Sequence, residues 1–154
     1  MVRGKRSKRS MRHRLDRRGQ SLIEFAFALP VVLLLIAAVF EFSRHYYTRI
    51  SIRNAVAEAA RFAATGQQLT DSISGDPIGR AESIVEVMRQ NAAGLDLDVD
   101  RIVIDPADGG GPDDIVNIRA TYHYEFMGAA IVRSFAPAYV EFTIATTIKN
   151  EPAF

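Results

Sequence analysis

From Leu22 to Phe42 the chain presents 21 residues interrupted by charge only at Glu24 and Glu41, close to the two ends. As a helix this stretch would measure roughly 31 Å, close to the hydrocarbon thickness of a bilayer. A buried core helix is the alternative, but Phe25 to Phe40 carries no charge on any face and follows a dense basic block, so the pattern predicts a membrane span. The pattern then changes. Ile52, Val56, Ala59 and Ala63 recur at offsets of three and four, while Asn54, Glu58, Arg61 and Thr65 share another face. That spacing predicts an amphipathic continuation of the same helix, stopped by Gly66. The rod from Leu22 to Thr65 would be roughly 66 Å long, with a kink at Pro30. Its Ala-rich stretch, Ala55 to Ala64, reads as close helix packing within a domain, with subunit contact as the alternative.

Beyond the polar connection from Gly66 to Gly75, Asp76-Pro77 offers an N-cap followed by proline at the first helical position. A second helix is expected there, with Ile78, Ala81, Ile84, Val85, Met88 and Ala92 as its apolar stripe and Gly94 as its end. Strands are predicted at Leu95 to Asp105, Val116 to Phe126 and Tyr139 to Lys149. Val116, Ile118, Ala120, Tyr122, Tyr124 and Phe126 alternate with Asn117, Arg119, Thr121, His123 and Glu125; Val140, Phe142, Ile144 and Ile148 repeat the alternation. One wet face and one covered face imply a three-stranded antiparallel sheet with helices on one side. The expected fold class is α+β: a long N-terminal transmembrane and amphipathic helix, a second helix and that sheet. Residues 1–19 form a leader, 20–65 the long helix and 66–154 the extracytoplasmic domain.

Charge sharpens this division. The chain has a formal net charge of only +1, yet nine of its 19 basic residues precede Gln20, against a single acid, Asp16. The leader is therefore +8 and the remainder −7. Positive flanks stay cytoplasmic, so Met1 to Gly19 is expected inside and everything after about Arg44 outside. The predicted location is the bacterial inner membrane, single-pass, with the C-terminal domain periplasmic. Cysteine is absent, which removes disulfides, thiolate metal sites and cysteine nucleophiles.

Three processing fates compete at the N-terminus. Ordinary signal peptidase needs small residues after the apolar run, and Ala37-Ala38 serves only loosely. Twin-arginine export is suggested by Arg17-Arg18, but Gly19-Gln20-Ser21 lacks the apolar residues expected directly after the pair. The third is favoured: Gly19-Gln20-Ser21-Leu22-Ile23-Glu24-Phe25 resembles the type IV prepilin cleavage site, where a membrane prepilin peptidase cuts after glycine. Gly19 would precede the cut, Gln20 become the new N-terminus, and Glu24 take the fifth mature position. A +8 leader cannot be drawn through a bilayer, so it holds the precursor, and cleavage releases it. Cleavage also creates an α-amine with a usual pKa of about 7.7 to 8.0, hence largely cationic near neutrality. An unpaired Glu24 in a poorly solvated bundle is expensive, and a neighbouring subunit's amine relieves that cost while fixing the stagger between helices.

The likeness extends further. Gly19 to Ala26, Leu29-Pro30, Phe40-Glu41-Phe42-Ser43-Arg44, and Asn54-Ala55 leading to Ala60-Arg61-Phe62-Ala63-Ala64-Thr65-Gly66 together resemble the N-terminal signature of TadE-like proteins. In that family a glycine commonly stands where this chain has Ala59, a small-for-small departure. The resemblance implies processing by prepilin peptidase and a role as a minor pilin-like component in assembling the tight-adherence (Tad/Flp) adhesion pilus. The implied partners are the peptidase, the pilin and pilin-like subunits, and the lipid bilayer. It assigns Gly19 and Gln20 to processing, and Glu24 and Phe25 to subunit assembly.

Enzyme chemistry finds no foothold: no catalytic residue, cofactor or metal is expected. The histidines are His13 in the leader, His45 just past the apolar stretch and His123 on a strand's polar face, without a second histidine at ligand spacing. His45 reads as an interfacial helix residue and His123 as an ordinary exposed strand residue. The loop from Asp105 to Asp114 is acidic but lacks the EF-hand order of ligands, so a solvated hairpin loop is expected. No phosphate loop or G-x-S-x-G serine is present. The basic leader could be mistaken for a nucleic-acid arm, but beside a membrane span it reads as topology, and no nucleic-acid partner is expected. Met127 to Val132 reads as a buried crossover or, in an assembly subunit, a contact surface. The competing function is an uncleaved, signal-anchored extracytoplasmic sensor or binding domain.

Overall fold

The computed structural model describes residues 8–92, 94–128 and 139–152. The chain divides into two compact units, Met1–Phe42 and Ser43–Phe154. Helix α1 spans Lys8–Ala64, α2 spans Arg80–Gln90, a 3-10 turn spans Val99–Arg101, and the strands are β1 (Ile102–Asp105), β2 (Ile115–Glu125) and β3 (Tyr139–Lys149). The strands form one antiparallel sheet in the order β1-β2-β3. This is the expected α+β fold with its long apolar helix, second helix and three strands.

In the first unit α1 begins at Lys8, well before the expected Leu22, because arginine, lysine and methionine in the leader are good helix formers. Pro30 lies inside the helix. The large apolar residues from Leu22 to Phe42 are all exposed; Leu33 is 55% exposed and Ile36 47%. The one helix among the described residues that is long and apolar enough to cross a membrane lies in Gly19–Ala64. It is compatible with a single-pass anchor.

In the second unit the predicted stripe becomes the core. Ile52, Ala55, Val56, Ala59, Ala60 and Ala63 of α1 cluster with Ile84 and Met88 of α2 and with Val116, Ile118 and Ala120 of β2. Four alanines on one helix face let backbones approach closely, and the apolar positions of β2 fill the space that remains. The burial of β2 alternates as its sequence does, whereas β3 keeps Phe142, Ile144 and Ile148 only half-buried against the cluster. Gly66, at φ 68°, ends α1 in the left-handed region, its N–H bonding to Ala63 O at 3.2 Å.

Two further expectations need correction. The second helix starts at Arg80, with Gly79 as its cap, and ends at Gln90 before Gly94. Asp76-Pro77 is used differently: Thr70 pairs with Pro77, Ile78 N donates to Leu69 O at 2.9 Å, and Asp71 N donates to Asp76 O at 2.8 Å. A small hairpin outcompetes the helical start, closed by Asp71 Oδ1, which accepts from Ile73 N and Ser74 N. Those N–H groups hold the Asp71 carboxyl below the usual range. The first strand is likewise shorter than Leu95 to Asp105. Asp98 accepts from Asp100 N and caps the 3-10 turn, so pairing begins only at Ile102, opposite Ala120.

Candidate functional site

Residues 19–25 lie on α1. A Cβ added at Gly19 would meet nothing within 4 Å. Packing in this chain therefore does not require glycine there, and a helical glycine costs about 0.5–1 kcal/mol relative to alanine. Its identity calls for a reason outside the fold. Gln20 Nε2 donates to Glu24 Oε1 at 3.0 Å, one helical turn apart, so the carboxylate has a neutral partner on its own helix. Leu22, Ile23 and Phe25 are 69%, 60% and 61% exposed, leaving an apolar surface around Glu24.

The second unit holds its own polar constellation. On the wet face of the sheet, Glu141 Oε1 accepts from Arg101 Nη1 at 2.8 Å and lies 3.3 Å from His123 Nδ1. His123 is half-buried, stacked on Tyr139 with centroids 4.3 Å apart, and is thus more enclosed than an ordinary exposed strand residue. Arg101 first, and His123 second, hold the Glu141 carboxyl below the usual range. The same face carries Thr121–Thr143 and Thr147–Asn117 hydrogen bonds at 2.9 and 2.7 Å. These contacts join strands and hold no reactive group against a base.

His45, on α1 as expected, has aromatic neighbours from the sheet. Its ring meets Tyr124 edge-on at 4.8 Å and Phe142 at 5.5 Å, so it closes one end of the apolar face. Beside it, Arg44 lies 4.7 Å over the Tyr124 ring and donates from Nη2 to the Glu125 carbonyl. The acidic loop after β1, which contains the cis Asp105-Pro106 bond, serves packing. Gly109, at φ 87°, passes so close to α2 that a Cβ would come within 3.1 Å of Arg80 Cγ. Asn150 Nδ2 donates to Gly111 O at 2.8 Å. Arg80 in turn donates from Nη2 to Ala63 O at 2.6 Å, placing a cation on the C-terminal end of α1. No group of three or more potential metal ligands occurs among the described residues. Met127 is 73% exposed, and positions 129–132 of the predicted contact stretch lie outside the described residues.

Residues 19–25 stand out in the sequence because their pattern is local. The links of Arg80 to Ala63, Asn150 to Gly111 and Arg101 to Glu141 do not, since they depend on a register and on loop paths no short window displays. Comparison with known proteins adds that residues 19–61 match the family model described as TadE-like protein. That match links the segment to Tad pilus-related proteins. No curated protein and no solved structure matches the chain.

Proposed function

We propose, from the TadE-like segment at residues 19–61, that this chain is a minor pilin-like (pseudopilin) subunit acting in assembly of a Tad/Flp-type adhesion pilus, a structural part and not an enzyme. It is held in the bacterial inner membrane by α1, with the basic leader in the cytoplasm and the domain in the periplasm. Prepilin peptidase cuts after Gly19 and removes the +8 leader. The new α-amine of Gln20 and the carboxylate of Glu24 then pair between neighbouring subunits, including the pilin and pilin-like components of the same system. Phe25 and its apolar neighbours supply the packing surface.

The observation that carries this reading is the coincidence of the family match with an α1 surface whose large apolar residues from Leu22 to Phe42 are all exposed. A helix so apolar is stable only in lipid or against other apolar helices, and a pilus subunit passes from the first setting to the second. Intact mass of the membrane-bound protein from its native host tests the proposal. A mature chain beginning at Gln20, lost in Gly19→Ala and in a host without the peptidase, is expected. An intact leader in the wild type would overturn the processing step and favour the uncleaved sensor or binding domain. In a cleaved Glu24→Leu protein, fibre assembly is expected to fail; normal assembly would remove Glu24 from its role.

A further inference from the structure

We propose that the outward face of α1 in the second unit docks in the groove between α2 and β1 of a second copy of this chain, a head-to-tail contact in which Arg49 and Arg53 meet Glu82. The inference rests on the pilus-subunit reading above and goes beyond it by naming both halves of a contact, each built from residues of the second unit.

Charge is divided within this unit as sharply as between the leader and the rest. Ser43 to Ala64 holds four arginines and one glutamate, a net +3, whereas Gly66 to Phe154 holds six basic and 14 acidic residues, a net −8. Two of the four arginines are engaged: Arg44 with the Glu125 carbonyl and the Tyr124 ring, Arg61 with Glu58 at 3.0 Å. Arg49 and Arg53 are exposed and make no ion pair among the described residues. Standing four residues apart, they repel each other along the helix, a local cost that an anionic partner reverses. Tyr46, Arg49, Ile50, Arg53 and Ala57 share one helical face. Tyr46 is 57% and Ile50 41% exposed, and Ala57 is exposed as well. The face is therefore cationic and apolar at once, with a small residue where another surface can come close.

The groove has the complementary make-up. It encloses about 510 Å³ between α2 and β1, walled by Val85, Val99, Ile102, Ile104 and Ala107, with Glu82 as the one charged residue of its lining. Glu82 is exposed and makes no ion pair among the described residues. Pockets of roughly 300–1,000 Å³ bury a small ligand, so this one receives side chains such as Tyr46 and Ile50 and not a whole helix. Because β1 is an outer strand of the sheet, a helix laid there also covers an open edge. One chain thus carries both an apolar face with unpaired cations and an apolar groove with an unpaired anion, while the acidic excess beyond Ala64 discourages contact between like surfaces. Joining unlike surfaces of identical copies is a heterologous contact. It repeats from copy to copy and lets all of them point one way, as anchoring in one membrane requires.

The chain contains no cysteine, so introduced thiols report this contact alone. Full-length Ile50→Cys and Val99→Cys forms, one of them tagged, would be co-expressed in the native host and the membranes treated with a short thiol cross-linker. Ile73→Cys, at a position 98% exposed in the hairpin before α2, replaces Val99→Cys as the control for random encounter. The Ile50 and Val99 positions are expected to link several-fold more than Ile50 and Ile73. Adding Arg49→Glu and Arg53→Glu to the first form should remove that excess, and adding Glu82→Arg to the second as well should restore it. Restoration requires both reversed chains to be folded, which separates lost attraction from misfolding. Equal yields with Val99 and Ile73, an excess indifferent to charge reversal, or a reversal that the opposite change does not rescue would each overturn the proposal. Preferential linking of Ile50 to Ile50 would set the helix faces against each other and overturn it too. Intact mass of the same membranes keeps the pilus reading apart: linked chains that retain the leader would overturn the processing step and leave the contact standing, and unlinked chains beginning at Gln20 would do the reverse.

Discussion

Within α1 two stretches solve opposite problems with similar residues. Leu22 to Phe42 carries leucine, isoleucine, valine and phenylalanine around its whole circumference, and these large side chains are exposed. Ile52 to Ala63 gathers Ile52, Ala55, Val56, Ala59, Ala60 and Ala63 on one buried face, most of them alanine, while Ala57 is exposed and Phe62 half-buried. The contrast teaches that exposure in a folded chain acquires its meaning from the medium: bulky groups all round suit hydrocarbon, whereas small groups on one stripe suit contact with a sheet. Hydrophobicity alone would not separate the two stretches; its distribution around the helix does.

The sharpest way to break this comparison is to delete the same methylenes from both stretches. Ile52→Ala removes a fully buried side chain and is expected to lower domain stability by about 2–5 kcal/mol. Ile36→Ala, on the apolar stretch, is expected to leave the domain's denaturation midpoint in detergent unchanged. Equal shifts from the two variants would mean that residues before Phe42 belong to the same core. The converse change is a charge. Leu33→Arg is expected to disfavour membrane insertion by about 2.5–3.5 kcal/mol while the domain retains its thermal unfolding, read by carbonate extraction and by circular dichroism.

The smallest effect lies on the sheet's wet face. Arg101 and His123 hold the Glu141 carboxyl below its usual range, so the folded state binds its proton less readily than the unfolded chain. That contribution is present above the unfolded carboxyl value of about 4.3 and is lost as pH falls through the lower folded value. A wild-type chain should therefore unfold slightly later than Glu141→Gln at pH 7, and the difference should vanish in more acidic solution. Because the pair is exposed, added salt should shrink it as well. A gap between the two that widened on acidification would show that Glu141 is stabilised by something other than these cations.

Most of the fold was legible where one physical signal dominated. Tyr139–Lys149 came out with its observed limits because a strict alternation of apolar and polar residues admits one strand and one register of faces. Gly66 marked the end of α1 because a left-handed residue at that place closes the helix carbonyls. Asp76-Pro77 misled because the same residues serve a helix start or a tight hairpin, and the hydrogen bonds of Asp71 decide between them from five residues away. Asp98 shortened the first strand by the same kind of local competition. In the candidate site, Gly19 and Glu24 were visible as a spaced motif. The setting of His45 was not, since its neighbours Tyr124 and Phe142 lie far along the chain.

The part of α1 within the domain is fastened at both ends: Arg44 binds the Glu125 carbonyl at one, and Arg80 and the Glu151 amide bind the Ala63 and Ala64 carbonyls at the other. Between these ties its buried face is locked into the core. A tensile load applied along this part of the helix would act on the domain directly. It would be shared by both ties and the packing at once, as in a lap joint loaded in shear, and would not peel contacts apart one after another. Such a joint is stiff and yields abruptly, a mechanical character suited to a part that is drawn by one end.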